Sequence, residues 1–290
     1  MMGKLLLLGV MALGTACAHT GRAAPTAVAV ATSDPVASAI QPVGQGGRWA
    51  LLFADDFNGA AIDRQKWVTC YWWERGGCTN LGNHELQWYQ TANVTVSDGQ
   101  LHLTAAREDV QGRGESYAFT SGLVSTGRDV AATSGAAKFD FQYGYAEMRA
   151  RMPSGRGLLP AFWMLPSSHQ PVPEIDIMEV LGDKPNILYT HIHYRVFLGG
   201  KRQREGIVKA PDLSAGWHVF AVDWKPDRIV WYLDGVECWR FADADHIPNE
   251  PMYLLINLAV GGKWPGPPDG STRFPAELLV DYVRVWQRID

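Results

Sequence analysis

A chain of 290 residues with 47% hydrophobic side chains, 12 of its residues being Trp, can bury a complete core, which excludes intrinsic disorder for most of its length. Its 26 basic and 30 acidic residues give a net charge of -4, which excludes an electrostatic footprint for nucleic acid. One large domain or two small ones, with a neutral or weakly charged partner, fit these limits.

The first 18 residues have the features of a secretory signal. A short positive start at 1–4 precedes an apolar run at 5–16, which is too short to span a bilayer. Cleavage after the tripeptide 16–18 and lipidation of Cys17, in a segment that resembles a lipobox, both remain open. We expect a secreted or periplasmic protein that is anchored to a bacterial envelope only if Cys17 is lipidated.

Residues 19–46 are rich in Ala, Val, Thr, Pro and Gly, and Arg22 and Asp34 are their only full charges. This composition is typical of a flexible linker. We therefore expect the folded domain to occupy residues 47–290.

From residue 48 onward, short runs of aromatic and β-branched residues alternate with Gly, Pro, Asn and Asp, without long stretches of helical periodicity. This pattern predicts an all-β fold. Asp-Gly pairs at 98–99 and 234–235, each between alternating runs, predict tight hairpins. The runs recur about every ten residues, which favours one large sandwich or barrel over two small domains.

Cys70 and Cys78 flank a stretch that contains glycine and several aromatic residues. An exported chain can oxidise such a pair, so we predict a disulfide between them. Cys238 lies in a strand-like run and is expected to remain a free thiol. No His or Cys pair stands nearby at zinc-ligand spacing, which argues against a zinc site.

The segment 173–180, Pro-Glu-Ile-Asp-Ile-Met-Glu-Val, carries the candidate chemistry. Strand alternation puts Glu174 and Asp176 on one face and the isoleucines on the other. Glu179 has the opposite parity and would point into the core, where an unpaired carboxylate is costly. A one-residue β-bulge near Met178 would return Glu179 to the face of the other two acids.

With such a bulge, the Cα atoms of Glu174 and Glu179 are about 13 Å apart, and side chains that lean together bring their carboxyl groups to about 5 to 6 Å. That separation belongs to retaining glycosidases. Asp176 between them can share a proton with Glu174. A solvated polar face of an edge strand would give the same pattern, and the motif alone does not decide between the two.

Further blocks along the chain strengthen the enzymatic interpretation. Together with EIDIME at 174–179, and in the expected order over about residues 48 to 288, they resemble family 16 of the glycoside hydrolases, in the bulged form of its laminarinase-like branch. The blocks are DDFNG at 55–59, NHELQWY at 83–89, NVTVSDG at 93–99, YGYAE at 143–147, PAFWML at 160–165, WYLDG at 231–235, NLAVGG at 257–262 and DYVRV at 281–285. The resemblance implies a concanavalin-like jelly roll, a sandwich of two curved antiparallel sheets with a cleft on the concave face.

The resemblance also implies roles for individual residues. By motif position, Glu174 would be the nucleophile, Glu179 the general acid/base and Asp176 the assisting carboxylate. Trp163 would stack near the cleaved sugar unit. Further substrate contacts are expected from His193, Trp264, Asn58 and Glu85. A purely structural role remains open for these, such as packing, a satisfied histidine or the cap of a turn.

The resemblance implies no cofactor for catalysis. Some members of the family bind a structural calcium ion on the convex side through an aspartate that matches Asp281, so a calcium ion there is a further expectation. The expected partner is a polysaccharide substrate, and we expect a monomer.

Two departures from the family pattern leave the exact polysaccharide open: the aromatic loop 70–78, and Ser-Gly-Leu at 121–123 in place of Ser-Gly-Arg or Ser-Gly-Met. The leading expectation is an exported endo-β-glucanase that cuts β-1,3- or mixed β-1,3/1,4-glucan with retention. Hydrolysis of galactan or a bacterial exopolysaccharide, and transglycosylation, would use the same acids. A lectin-like carbohydrate-binding domain could share the fold, but binding alone needs no crowded carboxylates, which favours the enzyme.

Overall fold

The computed structural model describes residues 40–71, 73, 78–129, 135–196 and 200–290. The predicted signal at 1–18, the lipobox-like segment at Cys17 and most of the predicted linker lie outside these residues. The described residues all belong to one of two units of the chain, Pro35–Asp290. No helix within them is long and apolar enough to cross a membrane.

The described residues form eighteen β-strands and three short 3-10 helices. The strands are β1 Trp49–Asp55, β2 Gln87–Tyr89, β3 Val94–Ser97, β4 Gln100–Ala105, β5 Val110–Gly112, β6 Glu115–Tyr117, β7 Phe119–Ser121, β8 Leu123–Ser125, β9 Gly144–Arg151, β10 Leu158–Pro166, β11 Glu174–Glu179, β12 Ile187–Arg195, β13 Lys201–Lys209, β14 His218–Trp224, β15 Ile229–Leu233, β16 Val236–Phe241, β17 Met252–Val260 and β18 Ala276–Arg288. The 3-10 helices are Leu81–Asn83, Thr91–Asn93 and Ala244–His246.

Most strands belong to two antiparallel sheets. Sheet 1 has the order β16-β15-β14-β9-β18-β4-β3, and β1 pairs with β18 as well. Sheet 2 has the order β13-β12-β11-β10-β17-β8. Two small pairs, the parallel β2-β7 and the antiparallel β5-β6, complete the described strands. The predicted all-β jelly roll of two antiparallel sheets is confirmed.

The two predicted Asp-Gly turns join neighbouring strands of sheet 1. Asp98 and Gly99 have φ angles of 53° and 71°, and Asp234 and Gly235 have φ angles of 51° and 77°. Two successive residues with positive φ match the right-handed twist of the flanking strands, and Asp and Gly tolerate this backbone. Both hairpins are therefore confirmed.

The main core lies between the two sheets and is built from the alternating apolar side chains of both. Leu101 and Leu103 of β4 are fully buried in it, while His102 between them is half-buried. Sheet 1 further contributes Phe220, Val222, Val283 and Val285, and sheet 2 contributes Phe162, Met164, Ile175, Ile177 and Ile256. The opposite face of β11 is thereby left to its polar side chains, Glu174, Asp176 and Glu179.

Residues 40–46, the described end of the predicted linker, lie against sheet 1. The indole Nε1 of Trp286 donates to the carbonyl oxygen of Ile40 at 3.1 Å, and the backbone N–H of Val43 donates to Glu147 Oε2 at 2.9 Å. Glu147 is fully buried, and burial raises the pKa of its carboxyl group. The packing of the domain therefore extends at least to residue 40.

Candidate active site

A break in the alternation of β11 determines where its acids point. Two adjacent residues of β10 pair with Asp176 and Met178, so Ile177 is an extra residue in the ladder. The pairing of β11 with β12 shifts at the same place. Ile177 and Met178 are both buried in the main core. The predicted one-residue bulge is confirmed, and it returns Glu179 to the face that carries Glu174.

These three acids, Glu174, Asp176 and Glu179, lie at the centre of a groove over sheet 2. Two adjoining cavities of about 520 and 370 Å³ are both lined by the three acids and by Glu85. The larger, here the aromatic cavity, is also lined by Tyr71, Trp73, Trp163 and Tyr253. The smaller, here the histidine cavity, is also lined by Tyr189, His191, His193 and Trp264. The acids thus face a groove that continues on both sides of them.

Glu174 and Asp176 form a coupled pair. Their side chains share a hydrogen bond. Burial, followed by the negative charge of Asp176, raises the pKa of Glu174 well above its usual range. Burial and the charge of Glu179 likewise raise the pKa of Asp176. Two carboxyl groups held this close share one proton, so one of them is neutral while the other is ionised.

The backbone of Asp176 is fixed by the opposite sheet. The indole Nε1 of Trp231, on β15 of sheet 1, donates to the carbonyl oxygen of Asp176 at 2.9 Å. Trp231 is itself fully buried. The contact therefore ties the middle of β11 to sheet 1 beside the bulge, where part of the ladder is lost.

Two histidines of β12 contact the acids from the neighbouring strand. His191 Nδ1 lies 2.7 Å from Glu179 Oε2, and His193 Nε2 lies 3.1 Å from Asp176 Oδ2. Burial opposes the charged form of His191. The pKa of His191 is nevertheless raised to about 9 by the hydrogen bond and negative charge of Glu179, and by the charges of Asp176 and Glu205. His191 is therefore a cation at neutral pH, and it contacts Glu179.

Trp163 lies beside the acids in the aromatic cavity, opposite Asp176 in the register of β10 and β11. Its Nε1 donates to Asn257 Oδ1 at 2.8 Å, and Asn257 Nδ2 donates to the Tyr89 hydroxyl at 3.0 Å. The ring of Trp73 meets it edge-on, with centroids 6.3 Å apart. These contacts fix the indole ring in a position suited to a sugar ring.

Glu85 lines both cavities and is held in a hydrogen-bond network of its own. Its carboxylate accepts from Gln87 Nε2 at 2.6 Å, from the Tyr89 hydroxyl at 3.4 Å and from Asn83 Nδ2 at 3.4 Å. Burial raises the pKa of Glu85 to about 7. Near neutral pH both the protonated and the ionised form of Glu85 are therefore accessible, so the group can donate or accept a hydrogen bond toward a ligand.

The structure brings Trp264 to the acids but not Asn58. Trp264 lines the histidine cavity, is 43% exposed, and meets the rings of Tyr189 and His191 edge-on at 4.9 and 5.9 Å. Asn58 lines a separate cavity of about 350 Å³, formed by residues 54–66, that shares no lining residue with the groove. The geometry therefore offers Trp264, and not Asn58, to a ligand at the acids.

Asp281, the residue expected to hold calcium, lies on β18 of sheet 1. Its Oδ2 accepts a hydrogen bond from Arg149 Nη1 at 2.6 Å. A guanidinium cation at this distance occupies the carboxylate that a calcium ion would need, so the surroundings of Asp281 do not fit calcium. Calcium at Asp281 stays a prediction of the family resemblance, and the contact with Arg149 argues against it.

One cluster of donor atoms in the described part of the chain has the size of a metal site. Atoms of Asp176, His191 and His193 lie within 4.8 Å of one another. The short contacts of both histidines to the carboxylates already use these atoms. We therefore assign no metal to the cluster.

Cys70 and Cys78 form the predicted disulfide, with Cα atoms 4.8 Å apart. Tyr71 lies next to the bridge and stacks on Trp73 with ring centroids 4.3 Å apart, and both rings line the aromatic cavity. The bridge thus holds one wall of the groove. Cys238 is a half-buried free cysteine, and burial raises the pKa of its thiol to about 11, which makes it unreactive.

Sequence reasoning assigned no role to three residues of the site. His191 shares strand parity with His193, but its contact with Glu179 depends on the register of two strands. Asn257 opens one of the family-like blocks and could have been found there. Glu205, whose carboxylate lies 3.6 Å from His191 Nε2, stands in a charged run without a motif.

Comparisons with known proteins agree with this geometry. Residues 82–283 match the Glycosyl hydrolases family 16. The beta-glucanase of Rhodothermus marinus is 37% identical over 268 residues, which cover 83% of this chain and 86% of the relative. The endo-1,3-1,4-beta-glycanase EglC of Rhizobium meliloti is 37% identical over 249 residues, which cover 81% of this chain. These residues are 51% of EglC, so the chain spans about half the length of that relative.

The fold comparison gives the same family. The solved laminarinase catalytic domain of Thermotoga maritima superposes with a TM-score of 0.74 at 31% identity, covering 83% of this chain and 99% of that domain. The family match includes β11 with its three acids and most of both sheets. The chain therefore belongs to glycosyl hydrolase family 16.

Proposed function

We propose that the protein is an exported endo-β-glucanase that hydrolyses internal bonds of β-1,3- or mixed β-1,3/1,4-glucan with retention of configuration. The observation that carries this proposal is the set of three acids on one face of the bulged strand β11, at the centre of an open groove. The names of the relatives support the substrate class: beta-glucanase, endo-1,3-1,4-beta-glycanase and laminarinase.

In the first step, the Glu174 carboxylate attacks the anomeric carbon while the bond to the leaving oxygen breaks. Glu179 donates its proton to that oxygen, and a covalent glycosyl-enzyme forms. The proton shared by Glu174 and Asp176 stays on Asp176 during the attack, so that Asp176 donates a hydrogen bond to the nucleophile. This placement follows from the chemistry of the step, because only the ionised form of Glu174 can attack the anomeric carbon.

In the second step, Glu179 takes a proton from a water molecule, and the water oxygen attacks the anomeric carbon. The bond to Glu174 breaks and the carboxylate is regenerated. His191 supports both steps, since its imidazolium lies 2.7 Å from Glu179 and stabilises the carboxylate that forms when the acid has given up its proton.

The groove supports endo action because it continues past the acids in both directions. Trp163 and Trp73 offer aromatic rings in the aromatic cavity, and Trp264 offers a half-exposed ring in the histidine cavity. Aromatic rings bind the apolar faces of sugar rings. A polysaccharide chain that lies along the groove would therefore contact sugar-binding surfaces on both sides of the cleaved bond.

Export is proposed on the sequence of residues 1–18, whose charged start and short apolar run are typical of a secretory signal. The disulfide between Cys70 and Cys78 supports an oxidising compartment. Lipidation of Cys17 would anchor the protein to the envelope and make the membrane surface its working place.

The test is the activity of the protein on a panel of β-1,3-glucan, mixed β-1,3/1,4-glucan, β-1,4-glucan and galactan, with linkage analysis of the products. We expect oligosaccharides from internal cleavage of the first two, and proton NMR should detect the β-anomer of the new reducing ends before mutarotation. Cleavage of galactan alone would refute the substrate class. Binding without cleavage would favour a carbohydrate-binding protein, and an initial α-anomer would exclude retention.

A further inference from the structure

The acid/base is linked to the edge of sheet 2 by a row of three side chains. Glu179 Oε2 lies 2.7 Å from His191 Nδ1, and His191 Nε2 lies 3.6 Å from Glu205 Oε2. Strand pairing fixes this order, because His191 of β12 stands directly opposite Glu205 of the edge strand β13. Both ring nitrogens of His191 therefore face carboxylates on neighbouring strands.

The charges around His191 come from every element that packs against it. β11 contributes Asp176, with Oδ2 3.9 Å from His191 Nδ1, as well as Glu179. On β12 itself, His193 lies parallel to it with ring centroids 5.6 Å apart. The loop after β17 contributes Lys263, a lining residue of the histidine cavity whose Nζ donates to the carbonyl oxygen of Gly82. Three carboxylates thus surround one buried imidazole.

We propose that His191 is a positioning residue for the acid/base, and that Glu205 holds the imidazole from its other side. The inference rests on the role given to Glu179 in the proposed function. His191 keeps its proton in both steps of the reaction. It stabilises the Glu179 carboxylate that forms in the first step, and in the second step Glu179 takes its proton from water and not from His191. Glu205 acts only through His191.

The first experiment separates the charge of His191 from its hydrogen bond. His191→Asn keeps an N–H donor close to the position of Nδ1 but cannot carry a charge. Because the His191 cation lies 2.7 Å from the acid/base, its removal should move the basic limb of the kcat/KM profile to higher pH by about 1 unit. It should also lower kcat about tenfold. A basic limb that coincides with that of the wild type would overturn the proposal.

The matched control is Glu277→Gln. His102 Nδ1 and Glu277 Oε1 are 3.5 Å apart on sheet 1, a distance close to that of the His191–Glu205 contact, and Glu277 is similarly exposed. This variant loses a comparable surface charge far from the groove, so its profile should coincide with that of the wild type.

The second experiment tests Glu205 without relying on turnover. Histidine side chains are labelled with ¹³C and ¹⁵N, and the His191 signal is identified by its absence in His191→Asn. We expect His191 to titrate near its raised pKa of about 9 in the wild type. In Glu205→Gln the midpoint of the His191 titration should move to lower pH by about 0.5 to 1 unit. In Glu277→Gln the midpoint should stay where it is in the wild type.

An unchanged His191 titration in Glu205→Gln would overturn the role of Glu205. If the wild type cleaves none of the glucans in the panel, the proposed function fails, and the NMR titration still decides whether the three side chains are coupled. Suppose that the wild type is active, that His191→Asn keeps the wild-type kcat/KM profile, and that Glu205→Gln keeps the wild-type His191 titration. The proposed function then stands and this inference fails.

Discussion

Glu85 makes the stability of the protein depend on pH in a direction opposite to that of most carboxylates. Burial raises its pKa from 4.5 to about 7 in the folded protein. The fold therefore prefers the protonated form, so this contribution to stability is complete below about pH 4.5 and is lost as the pH rises toward about 7. Glu85→Gln cannot ionise and should avoid this loss.

The size of the effect follows from the difference between the two pKa values. A difference of about 2.5 pH units corresponds to about 3 kcal/mol of unfolding free energy between about pH 4.5 and about pH 8. Little is lost to solvent screening, because Glu85 is only 8% exposed. The glutamine amide faces the Nε2 donor of Gln87, but that cost is present at both pH values and cancels in their comparison.

Urea unfolding of the wild type and Glu85→Gln, with the disulfide intact, measures the prediction. The unfolding free energy of the variant minus that of the wild type should be about 3 kcal/mol larger at about pH 8 than at about pH 4.5, which means that the variant is relatively more stable at the higher pH. Glu115→Gln, which removes an exposed carboxyl group, is the matched control for the loss of one negative charge. A difference between Glu85→Gln and the wild type that is the same at both pH values would refute the reasoning.

Three further predictions concern the acids and the disulfide. Glu174→Gln and Glu179→Gln should each lower kcat on unactivated glucan by about 10³-fold or more while calorimetry still detects oligosaccharide binding; full activity in either variant would remove the mechanism. Asp176→Asn should be impaired less, because its amide can still donate to Glu174 but cannot exchange a proton, and parental activity would make Asp176 a bystander. Replacing Cys70 and Cys78 by serine should lower the unfolding free energy by about 2 to 3 kcal/mol, as urea titration can measure; an unchanged value would show that the bridge adds no stability.

The alternation of side chains along a strand made it possible to predict from sequence that the acids of β11 share one face. Side chains alternate along a strand, and a buried Glu179 without a partner is costly, so only a bulge reconciles the motif with a packed core. The two Asp-Gly hairpins were predictable for an equally local reason, since few residues accept positive φ. Local rules of this kind are contained in the residues themselves.

Contacts between strands could not be predicted in the same way. His191 and His193 have the same parity, and which of them contacts Glu179 depends on the register of β11 and β12 beyond the bulge. Glu205 comes into contact only because β13 pairs with β12 in one particular register. Asn58 lies in a family-like block, yet its cavity is separate from the groove. Sequence spacing does not contain this information.

The bulge in β11 also determines which changes of length the strand tolerates. Losing one residue between Asp176 and Glu179 restores an even spacing, so the acids would share a face on a regular strand with a complete ladder. That deletion removes a side chain buried in the main core, either Ile177 or Met178, at a cost of about 2 to 5 kcal/mol. The loss of two residues, in contrast, leaves an odd spacing and turns Glu179 away from the groove. In evolution, the acids of this strand can therefore survive a one-codon deletion if the core beneath them is refilled.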